Sequence, residues 1–410
     1  MPPRPSLDLK KQSPYARLWT IGGVKSAYLW DIFCKVIDNF GDIGVCWRLA
    51  ADLASRGQQV RLWVDQPAAL AWMAPGALER RWPRIRVLAW GDVHNSATVA
   101  ALAPSDAWIE GFGCEVPVAL QQHRFHPARA SAEGANTGPI WINLEYLTAE
   151  GFAERNHGLR SPPIQGPAGG RTRCFFYPGF SARTGGLLRE PDLAVRQAGF
   201  DRAAWLADQG IAWHGERLVS LFCYEPAALV DLLEHLRQHA KPTRLLVTHG
   251  RAAAAVRHLL DHPNSDSRPC CISASESLSL TFLPPLSQID FDHLLWACDL
   301  NFVRGEDSVV RAIWAGKPLV WQIYPQHDDA HHAKLQAFLD AMDGPPAWRN
   351  FHLAWNGIVR ENLREPDLDQ WGAAALKARD RLLQQRDLTT RLLEFVETAR
   401  REPCFRAEKR

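Results

Sequence analysis

Charge of one sign is what this sequence lacks most. Its 410 residues carry 47 Lys and Arg against 45 Asp and Glu, a formal net charge of +2, so no strong field points to nucleic acid or an anionic membrane surface. Apolar runs are short, and none approaches the ~18 residues of a membrane span. The nine cysteines are scattered, with one adjacent pair (Cys270, Cys271) and no C-x-x-C. They read as small apolar side chains kept reduced in a cytoplasm. Three fingerprints are missing as well: G-x-S-x-G, G-x-x-x-x-G-K-[ST], and G-x-G-x-x-G between a strand and a helix. Hydrolase, P-loop and dinucleotide-dehydrogenase readings lose ground accordingly.

What is present is a globular composition, 46% hydrophobic and 22% charged, in a chain long enough for about two or three domains. Seventeen tryptophans read as core and domain contacts. Residues 1–28 are proline-rich and basic without an apolar signal core, and are expected to be a disordered extension, as from an upstream start codon. From Tyr28 strands and helices alternate: "YLWDIFCKVI", the helix "GVCWRLAADLASRG", then "QVRLWVD", "RIRVLAW", "AWIEGF" and "PIWINLEY". Asn156 to Arg189 is rich in Gly, Pro and Arg and reads as surface loops. The alternation then restarts with "RLVSLFCY" and runs to "KPLVWQIY". The expected fold is α/β of the GT-B kind, two doubly wound, Rossmann-like domains whose strand ends face a central cleft. The expected bounds are 29–205 for the first domain, 206–378 for the second, and 379–410 for a C-terminal helix that could pack back on the first. Asp380 to Ala399 reads as one amphipathic helix. A fold of this kind does not by itself give a function.

Two turns carry the chemistry. In "IDNFGDIGVCWRLA" the chain leaves a strand and enters a helix with Asp38 and Asp42 around the turn, where a phosphate cradle would want bare N–H groups. Asp42 could equally cap the helix near Gly44, and Asp38 could bond the Asn39–Phe40 backbone. In "NFVRGEDSVVRAIWAGKPLVWQIYPQHDDAHHAKL" a strand ends in Arg304-Gly305-Glu306-Asp307-Ser308 and a helix follows. A helix start offers free N–H groups to a diphosphate, Arg304 adds a forked cation, and Ser308 could donate to a phosphate oxygen. The plainer reading makes Asp307 or Ser308 the helix cap and pairs Arg304 with Glu306. His327 and His331, four apart beside Asp328 and Asp329, could share a helical face, but read better as a polar helix start than as a metal site. Asp290-Phe291-Asp292 formally matches D-x-D, with Asp290 better read as a cap.

These blocks, together with "WIEGFGCEVP", "WINLEYLTAE", "FFYPGFSARTGGLLRE" and "SLFCYE", resemble the EarP family of bacterial protein-arginine rhamnosyltransferases, over roughly Trp30 to Arg400. The resemblance implies an inverting GT-B enzyme with dTDP-β-L-rhamnose as donor and no metal or other cofactor. The implied acceptor is an arginine at a loop tip of elongation factor P, which then relieves polyproline stalling. No nucleic acid or membrane partner is implied. By position, Asp38, Asp42 and Glu306 match the catalytic acids. Tyr224, Gln288 and Phe291 match residues around base and sugar, and Arg304, Gly305, Asp307 and Ser308 the diphosphate and ribose end. This chain departs in reading "LPPLSQ" before Gln288, where the family often has an aromatic after the first proline, so an aromatic contact to thymine is missing there.

The implied acceptor explains the acids. A guanidinium has a pKa above ~12 and is a poor nucleophile, so transfer to it needs a carboxylate to hold the planar fork and one to take a proton. A GT-B enzyme acting on a glycan or lipid hydroxyl would need only one base. A non-catalytic adaptor for elongation factor P would have no use for Asp38, Asp42, Glu306 and Arg304 together.

Overall fold

The computed structural model describes residues 27–36, 40–125, 138–161, 168, 171–261, 277–325 and 329–401. Two sheets organise them. The first contains β1 (Leu29–Cys34), β2 (Gln59–Val64), β3 (Ile85–Ala89), β4 (Ala107–Gly111), β5 (Ile140–Leu144), β6 (Arg160–Ser161) and β7 (Arg173–Phe176). Their order is β3-β2-β1-β4-β5-β7-β6, parallel except for the β6–β7 pair. The second contains β8 (Arg217–Leu221), β9 (Thr243–Val247), β10 (Leu278–Phe282), β11 (Leu300–Arg304) and β12 (Leu319–Gln322) in the order β10-β9-β8-β11-β12, all parallel.

The apolar runs become strands because both faces of each sheet are covered. Ile32 and Leu62 pack with the Gly41–Ser55 helix on one face of the first sheet, while Phe33, Trp63 and Trp108 pack on the other. The second sheet is sandwiched in the same way, so β8, β11 and β12 are buried along nearly their whole length, while edge strand β10, "LSLTF", alternates apolar and polar residues. Trp30, Trp63, Trp314, Trp348, Trp355 and Trp371 are among the largest fully buried side chains, as expected of tryptophans used for packing. Cys34, Cys46, Cys114, Cys174, Cys223 and Cys298 are free and buried; Cys270 and Cys271 lie outside the described residues.

Two local expectations change. Within the stretch read as loops, Arg173-Cys174-Phe175-Phe176 is a strand paired with β5, its alternate residues Cys174 and Phe176 buried. Four residues framed by Gly, Pro and Arg carry too little periodicity to announce a strand that its neighbour imposes. The expected single helix over Asp380 to Ala399 is two, Leu368–Leu383 and Leu388–Arg401. Asp387 stops it: its carboxylate accepts the Thr390 N–H at 2.8 Å and pairs with Arg56 at 2.7 Å. Leu388, Leu392 and Val396 of the last helix join the apolar cluster of the first sheet.

Strand order reverses between β1 and β4 in one sheet and between β8 and β11 in the other. Ligands of open α/β sheets bind at such reversals, outside the carboxyl ends of the strands. The Asp38–Asp42 turn follows β1, and the Arg304–Ser308 turn follows β11.

Candidate active site

A cavity of ≈ 530 Å³ lies between the two turns, with Phe40, Gly41, Gly44 and Trp72 on one wall and Tyr224, Arg304, Gly305 and Glu306 on the other. On the second wall, Gly305 precedes the Glu306–Ala315 helix with φ +68°, a backbone conformation that favours glycine. Its carbonyl accepts the Trp321 indole N–H at 2.8 Å. The expected caps are therefore not caps: Asp307 and Ser308 lie inside the helix. The Ser308 hydroxyl donates back to the Arg304 carbonyl, a local bond common in helices.

Arg304 does not pair with Glu306. Its guanidinium stacks on the rings of Phe222 and Tyr224, at 4.6 and 4.5 Å from their centroids, and its buried Nη1 has no hydrogen-bond partner among the described residues. Burial lowers its pKa, yet a guanidinium stays charged. A buried cationic fork with an unsatisfied N–H, beside open helix N–H groups, is what an anionic ligand would complete. Burial pushes the Tyr224 hydroxyl up to about 12 against the pull of Arg304 and Arg251. Phe291 meets Phe222 edge-on at 5.3 Å, and Pro284, Pro285 and Leu286 give an apolar but non-aromatic stretch of wall.

Glu306 is held from both sides. Its Oε1 accepts from Lys334 Nζ and its Oε2 from the Leu147 N–H, each at 2.7 Å. Leu147 follows β5 of the first sheet, so the acid on the donor wall is oriented by the opposite half of the molecule. Asp42 occupies the first turn of the Gly41–Ser55 helix, where the helix end favours a carboxylate; the cap position itself is Phe40. Asp38 lies outside the described residues. Tyr146 is a site residue the sequence reading missed. Burial, then the negative charge of Asp42 and Glu306, raises its pKa well above the ordinary value, so acids from both walls act on one protonated phenol. Its ring stacks on Phe112 at 4.9 Å. The only signal was an aromatic at the end of a strand in "INLEY".

From Arg48 and Asp307 on the cavity wall runs a second feature the sequence did not announce. Arg48, on the Gly41–Ser55 helix and only 5% exposed, reaches Asp307 at 2.9 Å and Asp292 at 3.0 Å. Arg311 grips Asp292 at 2.6 and 2.8 Å and Glu190 at 2.7 Å. Burial alone would raise the Glu190 carboxyl, but Arg311, Arg48 and Arg196 bring it down to about 2; Arg311 and Arg48 outweigh burial and lower Asp292. The D-x-D match thus resolves into structure. Asp292 is locked among arginines, while Asp290 is not the cap: its N–H donates to Ser287, which is. Gln288 sends its amide to the Gly44 carbonyl at 2.8 Å, and a Cβ at Gly44 would stand 3.3 Å from that nitrogen. Glycine there lets the two walls approach. Of the histidine cluster, His327 and Asp328 lie outside the described residues. Asp329, His331 and His332 bring one donor atom each within 4.8 Å of one another.

Two doubly wound sheets, parallel but for the β6–β7 pair, with a cationic cradle and Glu306 on one wall of the cavity between them, match the glycosyltransferases of the GT-B fold. The family model described as "Elongation-Factor P (EF-P) rhamnosyltransferase EarP" matches residues 30–397, and the chain belongs to that EarP family. It is 42% identical to the protein-arginine rhamnosyltransferase of Pseudomonas aeruginosa over 89% of this chain and 98% of that one. It is 34% identical to that of Shewanella oneidensis over 90% and 97%. A solved structure described as the basis for EarP-mediated arginine glycosylation of translation elongation factor EF-P aligns with a TM-score of 0.57 and 30% identity, covering 90% of this chain and 99% of that one.

Proposed function

We propose that this enzyme transfers L-rhamnose from dTDP-β-L-rhamnose to an arginine side chain of elongation factor P, with inversion at the sugar, in the cytoplasm. The product would serve to relieve ribosomes stalled on polyproline. The observation that carries the reading is the Arg304 cradle facing, across one cavity, the Phe40–Gly44 start of the helix that carries Asp42, with Asp42 and Glu306 both acting on Tyr146. Among the described residues, no helix is long and apolar enough to cross a membrane.

The chemistry follows from that opposition. The dTDP diphosphate lies along the start of the Glu306–Ala315 helix, where the free N–H groups and the Arg304 fork offset its charge. An inverting displacement needs the nucleophile on the opposite face of the anomeric carbon. A guanidinium nitrogen held by Asp42 attacks from the first wall. As its bond to the anomeric carbon forms, the bond to the diphosphate oxygen breaks, and the proton shed by that nitrogen passes to Asp38. Glu306, fixed by Lys334 and the Leu147 N–H, steadies the sugar and acceptor.

The test is an intact-mass assay of the purified enzyme with dTDP-rhamnose and the host's elongation factor P, beside an acceptor with the tip Arg→Lys. A gain of one deoxyhexose on the wild-type acceptor alone is expected. No gain with donor binding intact would indicate a different acceptor, and no donor binding would overturn the reading. The cradle has its own check. Arg304→Lys keeps a charge but loses the fork and the stack on Phe222 and Tyr224, so the dTDP-rhamnose Kd measured by calorimetry should rise about 10–100-fold.

A further inference from the structure

Arg48 is an unusual neighbour for a glycosyltransferase cleft. It sits on the acceptor-side helix, six residues and about 9 Å along the axis from Asp42, yet the partners of its guanidinium include three groups from the facing unit. Nε donates to Asp307 at 3.0 Å, Nη2 to Asp292 at 3.0 Å and to the Gln288 carbonyl at 3.1 Å. Asp307 is the neighbour of Glu306, and Asp292 is shared with Arg311, one turn further along the Glu306–Ala315 helix. One buried fork therefore joins the helix that carries Asp42 to the turn that carries Glu306 and the diphosphate cradle.

We propose that Arg48 is a positioning residue of the transfer reaction, setting the separation and register between acceptor-side Asp42 and the donor-side Arg304–Ser308 turn. The inference rests on the reading of the site as an arginine rhamnosyltransferase. It goes beyond that reading because Arg48 acts on no reacting atom: it works through Asp307 and Asp292. Two features separate this role from simple core packing. Asp292 keeps the bidentate grip of Arg311 when Arg48 is removed, so the donor-side core loses no essential partner. Asp307 retains some exposure, so its carboxylate can turn to water instead of being stranded. What is lost is the guanidinium tie between the walls, which acts beside the Gln288–Gly44 and Leu147–Glu306 hydrogen bonds, and in-line displacement is sensitive to it, since a misplacement of about 1 Å costs about 100-fold in rate.

The experiment compares wild type, Arg48→Met and Arg48→Lys by three readouts: single-turnover rhamnosyl transfer followed by intact mass, dTDP-rhamnose affinity by calorimetry, and thermal melting. Met fills much of the same volume without charge; Lys keeps the charge without the fork. For Arg48→Met the transfer rate should fall about 100-fold or more while the donor Kd stays within about 3-fold and the melt remains cooperative. Arg48→Lys should recover part of the rate. Four results would overturn the proposal: a rate within about 3-fold of wild type; a rate loss matched by a loss of donor affinity, which would make Arg48 a donor ligand; an unfolded Met variant beside a Lys variant that transfers normally; or failure of both to fold, which would make Arg48 a residue of the core. Absence of transfer by wild type in the same assay would instead defeat the rhamnosyl reading itself.

Discussion

Asp42→Asn is expected to fold, bind dTDP-rhamnose with little change, and lose about 10²–10⁴-fold in the rate of transfer. The substitution is nearly isosteric and keeps an oxygen in the first turn of the Gly41–Ser55 helix, where the cap position is Phe40 and not this side chain. What it removes is the negative charge. A neutral amide cannot offset the cation of a guanidinium or hold its fork with two equivalent acceptors. Asp38→Asn should show the same pattern. Single-turnover intact-mass kinetics at saturating donor and acceptor measure the rate, and calorimetry measures the donor. Turnover within about tenfold of wild type in either variant would remove the acids from the mechanism. The Tyr146 phenol supplies an independent readout. Its raised pKa owes part of its shift to Asp42, so removing that charge should lower it; a tyrosine titration unchanged by Asp42→Asn would mean that the carboxylate and the phenol are not electrostatic neighbours.

The strand–helix alternation was legible because parallel strands covered on both faces must be apolar throughout, and runs such as "WDIFC" and "LVSLF" admit few other readings. The turn after β11 was legible as a strand-to-helix turn, since Gly305 marks a backbone that only glycine adopts easily. Side-chain partnerships were not. Asp307 and Ser308 look like helix caps because their residue types favour that position, but the cap is set by the backbone at Gly305, and Asp307 is taken by an arginine 259 residues away in the chain. Arg48 is the sharper case. A lone arginine on an amphipathic helix normally faces water, and nothing local distinguishes one that is buried against Asp292, 244 residues distant. The D-x-D pattern misleads for the same reason: Asp292 is acidic in order to meet those arginines, a demand visible only after both sheets are assembled.

That assembly makes Asp292 the residue whose loss should cost most in stability. Asp292→Ala should destabilise the protein by about 3–5 kcal/mol, the cost of leaving buried charge uncompensated when one partner of an ion pair is removed. Arg311 and Arg48 are 1% and 5% exposed, so neither can swing into water, and Arg196 at 3.6 Å adds a third cation to the vacated space. Glu190 and Asp307 remain, but they already have partners and cannot move to the place of Asp292. Chemical denaturation followed by tryptophan fluorescence would measure the loss; a change under about 1 kcal/mol would mean that water enters and screens the cluster. Acid should do to the whole cluster what the substitution does to one member. Glu190 and Asp292 have folded-state pKa values below their ordinary ones. Their contribution is therefore present above the unfolded pKa of a carboxyl and is lost as pH falls from about 4.5 toward about 2, when the unfolded chain binds protons that the folded one refuses. Wild type should lose stability steeply across that window, and Asp292→Ala, already lacking one of the two depressed carboxyls, should show a shallower slope. Equal slopes in the two proteins would place the acid sensitivity elsewhere in the fold.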